Sequence, residues 1–480
     1  MIYLGIKEIH LFMKTIVACS SGINGAIAII RISGNNAKNL LDKCFVLSNF
    51  KQGIIQVGRQ HYGEFNFGGI QDNGMAVYFK SPRSYTGEDI VEMYIHGGIG
   101  IVDGALRFLI KEGADAALPG EFSKRAFLNG KIDLSKAEGI VSMINAQTER
   151  EAKAAYGLLS GGIKAKIDML QAELKTALAA ANAAVDYPEE DLDDSTRIQL
   201  KSVENVLSSI IKIKNSYNCG KLIKNGVQVV ITGDVNVGKS QLLNALVNKD
   251  VAIVADLPGT TRDLVKDCYE YNGLRFNIVD TAGLRKTEDK IEKIGINRAI
   301  DAIKSGDIIL AVYPFGTDLD KTTEEVINKN RDKTIIVENK IDLINCCVNE
   351  NNVADKKTND CFSNHTQKVS FNEICAKGTI KVSALKNINI DKLKEAIYNK
   401  VGLGVFDNEK EIVLTELRHF DAVARAEFSL KTVVENIEKS DIDLILADLM
   451  SAYSALGEIT GICGTDAIVD EIFSKFCVGK

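Results

Sequence analysis

A chain of 480 residues has material for about three domains, and 45% hydrophobic with 25% charged residues is the composition of an ordinary globular protein. A net charge of −6 and a pI near 5.6 exclude a global basic field, so contacts with nucleic acid must come from local patches or a partner. No apolar run is long enough to span a bilayer, and ten scattered cysteines without a C-x-x-C pair argue against a zinc site or a disulfide framework and for a reducing, cytoplasmic location.

Residues 1–12 carry Lys7, Glu8 and His10 among apolar side chains and lack a small-residue cleavage site, unlike a signal peptide; Met13 is the expected start. Residues 15–112 read as a mixed α/β unit. Strands are expected at Thr15–Ala18, Ala26–Ile32, Gly74–Phe79 and Ile90–His96, and helices over Ala37–Cys44 and Gly100–Glu112. The polar, turn-rich loop Ser81–Asp89 has two readings, a functional loop or a long hairpin connection, and pattern alone slightly favours the hairpin.

From Pro119 the pattern turns helical. Ser135-Lys136-Ala137-Glu138 matches a capping box, and Ile167, Leu170, Leu174, Leu178, Ala181 and Val185 step by threes and fours along one amphipathic helix. Asp186-Tyr187-Pro188 ends that helix. The acidic run through Asp194 is most simply a solvated linker or cap, metal binding being the lesser reading, and a further helical segment runs to about Tyr217.

Val227–Ile231 is a β-branched run of the kind that forms a strand buried on both faces. It leads into Gly233-Asp234-Val235-Asn236-Val237-Gly238-Lys239-Ser240, a full G-x-x-x-x-G-K-S, followed by Gln241 and by Leu242, Leu243 and Leu246 at helical spacing. Strand, glycine-bounded loop and helix in that order form a phosphate cradle. Lys239 would neutralise β- and γ-phosphate charge, and the Ser240 hydroxyl would ligate Mg²⁺.

Asp280-Thr281-Ala282-Gly283 follows the apolar strand Phe276–Val279; its carboxylate can orient Mg²⁺ through water and its glycine N–H can meet a γ-phosphate. Asn339-Lys340-Ile341-Asp342 follows Thr334–Val337. Guanine offers N1–H and N2–H₂ donors to Asp342 where adenine offers neither, and Ser383-Ala384-Leu385 would give a backbone N–H to guanine O6. Four such motifs in order select GTP. Between the phosphate loop and Asp280, Gly259-Thr260-Thr261-Arg262-Asp263 occupies the place of a switch loop, with Thr261 as a second hydroxyl ligand of Mg²⁺. Leu284 stands where many GTPases place a water-orienting Gln, so hydrolysis needs another group to position water and another positive charge, the charge coming from Arg262, Arg285 or a bound monovalent cation.

The segment Asn345–Thr379, polar and aperiodic, reads as a surface insertion. The helical pattern then returns at Ile442, Ile445, Leu449, Ala452, Leu456 and Ile459. Two helical blocks around an α/β unit suggest one helical domain with the nucleotide domain inserted into it.

Asn236 together with Thr260-Thr261-Arg262-Asp263 resembles the potassium-activated GTPases, which dimerise through their nucleotide domains. Further stretches narrow the match: Ile30–Gly34, Tyr85–Asp89, His96-Gly97-Gly98, Pro119–Ser123, Arg125–Lys131 and Phe476–Lys480. Over nearly everything after Met13 the chain resembles the bacterial tRNA uridine-5-carboxymethylaminomethyl modification GTPases. The resemblance implies an α/β plus all-α architecture: an N-terminal tetrahydrofolate-binding and dimerisation domain (13–131), a helical domain in two segments (132–222 and 402–480), and an inserted Ras-like P-loop GTPase domain (223–401) with a mostly parallel sheet.

It further implies a homodimer that works with an FAD-dependent partner, as a heterotetramer, on the wobble uridine of certain tRNAs. The cofactors would be GTP, Mg²⁺, K⁺ and 5-formyl- or 5,10-methylene-tetrahydrofolate. By position, Asn236 matches the potassium ligand, with Ala255, Leu257 and Thr260 at the other potassium-loop positions and Asp256, Pro258 and Gly259 between them. Glu292 matches a residue that arranges catalytic water, against the plainer reading of a solvent-facing helix Glu. Arg31, Glu92, Lys131 and Lys480 match the folate contacts. Cys477 matches a functional C-terminal cysteine and is expected to be a buried thiol near the folate site, an inert thiol being the alternative; Gly479 and Lys480 fit a prenylation motif badly.

The chain departs from the family in the glycine-poor Ser20–Gly25 loop, in Asp234-Val235 where Arg-Pro is frequent, and in Ala255 where Thr is common. Two other readings compete. A K⁺-dependent GTPase assisting ribosome assembly would lack folate binding, and a guanine-nucleotide switch would turn over slowly in K⁺ and Na⁺ alike.

Overall fold

The computed structural model describes residues 14–48, 54–186, 202–247, 267–280, 300–343, 378–402, 413–436, 441–462 and 466–480. The expected start at Met13, the acidic run from Pro188 to Asp194, the switch loop and nearly all of the Asn345–Thr379 insertion lie outside these residues.

The N-terminal region builds a seven-stranded sheet from β1 (Ile16–Cys19), β2 (Ile27–Ser33), β3 (Phe45–Leu47), β4 (Gln60–Asn66), β5 (Gln71–Phe79), β6 (Ile90–His96) and β7 (Asp115–Ala116), in the order β3-β4-β5-β6-β2-β1-β7. Every pairing is antiparallel except β1 with β7. Helices α1 (Ala37–Cys44) and α2 (Ile99–Lys111) cover one face, where Ala28, Ile30, Ile32, Val91, Met93 and Ile95 form the core with Leu40, Leu41, Val102 and Leu109. Strand β4 is absent from the sequence expectation because Gln-His-Tyr-Gly-Glu-Phe-Asn carries little β-propensity. Tertiary packing imposes it: a Cβ at Gly63 would lie 2.2 Å from the Val46 carbonyl, so the neighbouring strand passes where a side chain would be. The loop Ser81–Asp89 does join antiparallel neighbours β5 and β6, as the hairpin reading has it.

Helices α3 (Glu121–Leu128), α4 (Leu134–Asn145), α5 (Glu149–Leu159), α6 (Gly162–Asp186), α7 (Val203–Asn215) and α8 (Tyr217–Asn225) follow. The capping box expected at Ser135 is displaced. Asp133 is the N-cap of α4, its carboxylate accepting from the Lys136 N–H at 2.9 Å, while Ser135 lies in the first turn. Glu138 is therefore released from capping and pairs with Arg418 and His419. The helical segment also runs past Tyr217 to Asn225, broken at Ser216, whose hydroxyl donates to Ile213 O at 2.6 Å.

The second sheet runs β13-β12-β11-β8-β10-β9, built from β8 (Val227–Thr232), β9 (Cys268–Tyr271), β10 (Leu274–Asp280), β11 (Ile308–Pro314), β12 (Thr334–Asn339) and β13 (Thr379–Lys381). All neighbours are parallel except β9 with β10. Thr379, the last residue of the expected insertion, thus opens a strand. Helices α9 (Lys239–Val247), α10 (Lys321–Lys329) and α11 (Ile390–Val401) belong to the same unit.

The chain ends in α12 (Leu417–Asn436), α13 (Ile442–Thr460) and α14 (Asp466–Ser474). The α13 stripe of Ile445, Leu449, Ala452, Leu456 and Ile459 is buried with Ile167, Leu170 and Leu174 of α6, Val206 and Ile210 of α7, and Val423 and Leu430 of α12. Among the described residues, no helix is long and apolar enough to cross a membrane.

Candidate nucleotide-binding site

Strand order reverses around β8: β10 lies on one side of it and β11 on the other. In a parallel sheet this switch point opens a crevice beyond the carboxyl ends of the strands. Three motifs arrive there, after β8, β12 and β13, together with Asp280 at the end of β10.

The phosphate loop begins at Gly233 (φ +151°), where a Cβ would meet the Val312 carbonyl at 2.2 Å. Asn236 (φ +61°) and Gly238 (φ +93°) adopt left-handed backbone, which turns successive N–H groups toward one concavity. Lys239 is buried at the N-terminus of α9; its Nζ donates to Gly233 O at 3.1 Å and Asp234 O at 2.6 Å, curled over the loop. The exposed Asn236 carries its side chain at the rim.

Asn339 takes a part that its motif does not announce. It is 1% exposed, donates from Nδ2 to Val237 O at 3.0 Å and accepts the Ala384 N–H at 3.0 Å. It therefore struts the phosphate loop against the loop after β13 rather than facing solvent. Lys340 (φ +67°) reaches Asn236 O at 2.7 Å. Asp342, half-buried, accepts the Ser383 hydroxyl at 2.5 Å, and that hydroxyl accepts the Lys386 N–H at 3.2 Å. The expected base-reading residues Asn339, Asp342, Ser383 and Ala384 are thus brought together, with Leu385 exposed beside them.

Ser240 Oγ donates to Asp280 Oδ2 at 3.1 Å. A hydroxyl and a carboxylate converging at a phosphate loop are hard oxygen donors, the set Mg²⁺ favours when it keeps several waters. The residues present fit that ion. Of the other expected site residues, Ala255, Asp256, Leu257, Pro258, Gly259, Thr260, Thr261, Arg262, Thr281, Ala282, Gly283, Arg285 and Glu292 lie outside the described residues.

Of the expected folate residues, Arg31 lies on β2 and Glu92 on β6 of the N-terminal sheet. Arg31 and Glu92 are cross-strand partners, with Nε and Nη2 at 2.9 and 2.8 Å from Oε1. The guanidinium also donates to Gly479 O at 3.3 Å and lies 5.7 Å from the ring centres of both Tyr85 and Phe122. Burial pushes the Tyr85 phenol up, although its Ser123 hydrogen bond and Arg31 pull it down. The C-terminal tail is fastened by Ser20 Oγ to Gly479 O at 2.8 Å, so Lys480 sits beside this group; Lys131 Nζ instead holds Pro82 O at 2.5 Å on the loop after β5. Cys477 is exposed, which corrects the expectation of a buried thiol: Phe476 and Gly479 face inward and anchor the tail, leaving Cys477 and Val478 on its outer side.

Arg125 is absent from the sequence-based site. It is fully buried and donates to Lys14 O at 2.8 Å, to Glu88 at 3.1 Å and to Glu121 at 2.8 Å, locking the Ser81–Asp89 loop to α3. Its only sequence signal is membership in a quoted motif; nothing local says that it meets Glu88.

A family model described as the GTP-binding protein TrmE N-terminus matches residues 15–131, and one described as the MnmE helical domain matches residues 134–477. A protein of Natranaerobius thermophilus named tRNA modification GTPase MnmE is 37% identical over 95% of this chain and 97% of its own length. The chain belongs to the MnmE family. An MnmE of Carboxydothermus hydrogenoformans is 36% identical over 97% of this chain and 99% of its own. Among solved structures, the FeoB G-domain of Methanococcus jannaschii is 22% identical with a TM-score of 0.23, covering 37% of this chain and 98% of that one. Era of Aquifex aeolicus bound to GDP·AlF4⁻ is 24% identical with a TM-score of 0.25, covering 42% and 66%. At those scores neither adds to the MnmE assignment.

Proposed function

We propose that this MnmE-family chain hydrolyses GTP to GDP and phosphate with Mg²⁺ and K⁺. It acts with an FAD-dependent partner to install a carboxymethylaminomethyl group at C5 of the wobble uridine of certain tRNAs. The observation that carries the nucleotide reading is the meeting of the phosphate loop with Asp342, Ser383 and Ala384 at one end of the parallel sheet, tied by Asn339. Asp342 reads guanine by accepting its two donors, and Ser240 with Thr261 holds Mg²⁺.

Mg²⁺ would neutralise phosphate charge when bound, and K⁺ would add positive charge beside the triphosphate. Asn236 would hold K⁺, with Ala255, Leu257 and Thr260. Lys239 steadies the β- and γ-phosphates, Glu292 arranges the attacking water, and Arg262 remains a second source of charge. Arg31, Glu92, Lys131 and Lys480 form the tetrahydrofolate site, with Cys477 at its edge. The chain forms a homodimer through residues 13–131, its helical domain comprises 132–222 and 402–480, and its GTPase domain comprises 223–401. The location is cytoplasmic.

Hydrolysis measured in K⁺ against Na⁺ tests the mechanism: turnover should rise at least tenfold in K⁺, and equal slow turnover in both would leave only a binding switch. Nucleoside analysis of tRNA from cells lacking the chain tests the product, which should lose the C5-modified uridine.

A further inference from the structure

The nucleotide unit meets the helical unit through strand β10, and the contact falls on residues that the nucleotide motifs do not include. Leu274, Phe276 and Ile278 of β10 enter the core of the sheet. Arg275 and Asn277 reach out of it. Arg275 donates from Nη1 to Gln147 Oε1, lies 3.7 Å from Glu151 Oε1, and reaches Lys224 O at 3.4 Å. Asn277, 2% exposed, donates to Asn225 O at 3.0 Å.

Gln147 and Glu151 are themselves held in one piece at the start of α5. Thr148 is the N-cap and accepts the Glu151 N–H at 3.2 Å, while Glu151 reaches back to accept the Gln147 N–H at 2.7 Å. Arg150, the residue before Glu151, donates to Tyr398 OH of α11 at 3.1 Å, and its stem lies 3.0 Å from where a Cβ of Gly273 would stand. The first turn of α5 is thus gripped from the nucleotide unit by β10, by the turn before it and by α11. Glu151 Oε1 and Arg275 Nε are buried with no hydrogen-bond partner, which leaves their charges facing one another. A buried pair of this kind is costly to pull apart.

The far end of the same strand is Asp280, on Ser240 of the phosphate loop. Asp280 stands five positions after Arg275, roughly 17 Å of strand at about 3.3 Å per residue. Strand β10 is paired in parallel with β8 from Phe276 to Asp280, so it moves as a unit with little internal slack. We propose that Arg275 is a positioning residue for the Mg²⁺–nucleotide site: through it, α5 sets the axial placement of β10 and hence of the Asp280 carboxylate against Ser240. The helical unit then tunes the nucleotide site from outside it. This rests on the GTP reading above.

The test uses the full chain and the fluorescent analogue N-methylanthraniloyl-GTP, titrated in EDTA and in Mg²⁺. Arg275→Gln should reduce the Mg²⁺-dependent gain in affinity at least fivefold, with affinity in EDTA within twofold of the parent. Arg275→Lys, which keeps charge but loses the fork, should lie between. Gln147→Ala combined with Glu151→Gln changes only the helical side and should give the same loss; Gln147→Ala alone guards against a folding defect, and its smaller loss should have the same sign. In turnover at saturating Mg²⁺ the variants should raise KM for GTP in step with the lost affinity. An unaltered Mg²⁺-dependent gain in the helical-side variants would overturn the inference, as would an equal fall in EDTA and in Mg²⁺. Failure of the unaltered chain to bind the analogue would instead sink the nucleotide reading, and the inference with it.

Discussion

Asn236 shows how a single residue answers to backbone and chemistry together. Its φ of +61° is a conformation that Asn tolerates and most L-residues resist, at roughly 1–2 kcal/mol. Asn236→Ala would therefore mix strain with loss of the amide, whereas Asn236→Gly keeps the turn and removes only the ligand. Asn236→Gly should abolish K⁺ stimulation, a loss on the order of 10²-fold in turnover. Mg²⁺–GTP affinity should stay within threefold, because Lys239, Ser240 and Asp342 are untouched. Initial rates in K⁺ and Na⁺ check this, and a retained K⁺ response would remove Asn236 from the metal site. At the other end of the crevice, Asp342→Asn replaces a two-donor acceptor by a group that must present one donor to the base. GTP affinity should fall roughly 10- to 100-fold, as for loss of hydrogen bonds to a charged group; isothermal titration with GTP measures it, and an unchanged affinity would void the base-reading assignment.

Among the elements, α4, α12 and α13 are joined by one buried polar cluster. Arg418, at the start of α12, forks onto both oxygens of Glu138 at 2.9 Å and donates to Ile459 O at 3.0 Å, capping the end of α13. His419, fully buried, lies 2.7 Å from Glu138 Oε2, beside the Arg418 Nη2 that reaches the same oxygen. Burial pushes the Glu138 carboxyl up, but His419 and Arg418 outweigh it and hold it at about 2. Because its folded value lies below the unfolded one, ionised Glu138 stabilises the fold fully above pH 4.5, and that contribution drains away as pH falls toward 2. Glu138→Gln should cost on the order of 3 kcal/mol at neutral pH, since Arg418 is left without its anionic partner. It should also flatten the dependence of stability on pH between 4.5 and 2. Urea midpoints of both proteins across that window test the assignment, and parallel curves would refute it.

Across the whole molecule, the chain leaves the helical unit and rejoins it at nearly the same point. Ser216 Oγ accepts the Leu414 N–H at 3.1 Å, and a Cβ at Gly220 would lie 2.0 Å from Leu414 O. Tyr217 stacks on Phe420 with ring centres 4.5 Å apart. Among the described residues, the buried core of the helical unit draws on residues from Leu158 to Ile213 and from Leu414 to Ile459, with none from the stretch between. Replacing residues 218–412 by a short glycine linker should therefore leave a protein that melts cooperatively with its helices intact and binds no GTP. Non-cooperative melting followed by circular dichroism would show that the helical unit depends on the nucleotide unit for its fold.

Signals carried by consecutive residues were legible without coordinates. The β-branched run of β8, the glycines and Lys-Ser of the phosphate loop, Asn339–Asp342 and the α13 stripe each follow from backbone propensity and periodicity within about twenty residues. Strand β4 escaped because its composition is poor and its neighbours force it into the sheet; the N-cap escaped because Asp133 and Ser135 are equally good caps and only packing chose between them. Tertiary structure alone decided the long-range pairings: Arg275 with Gln147 across 128 residues, Arg418 with Glu138 across 280, and Arg31 with Gly479 across 448. An arginine seeks any acceptor that burial leaves within reach, and which acceptor that is depends on how separate elements pack. The chain's own pattern therefore names the ligand-facing motifs, while the fold determines which distant side chains hold them in place.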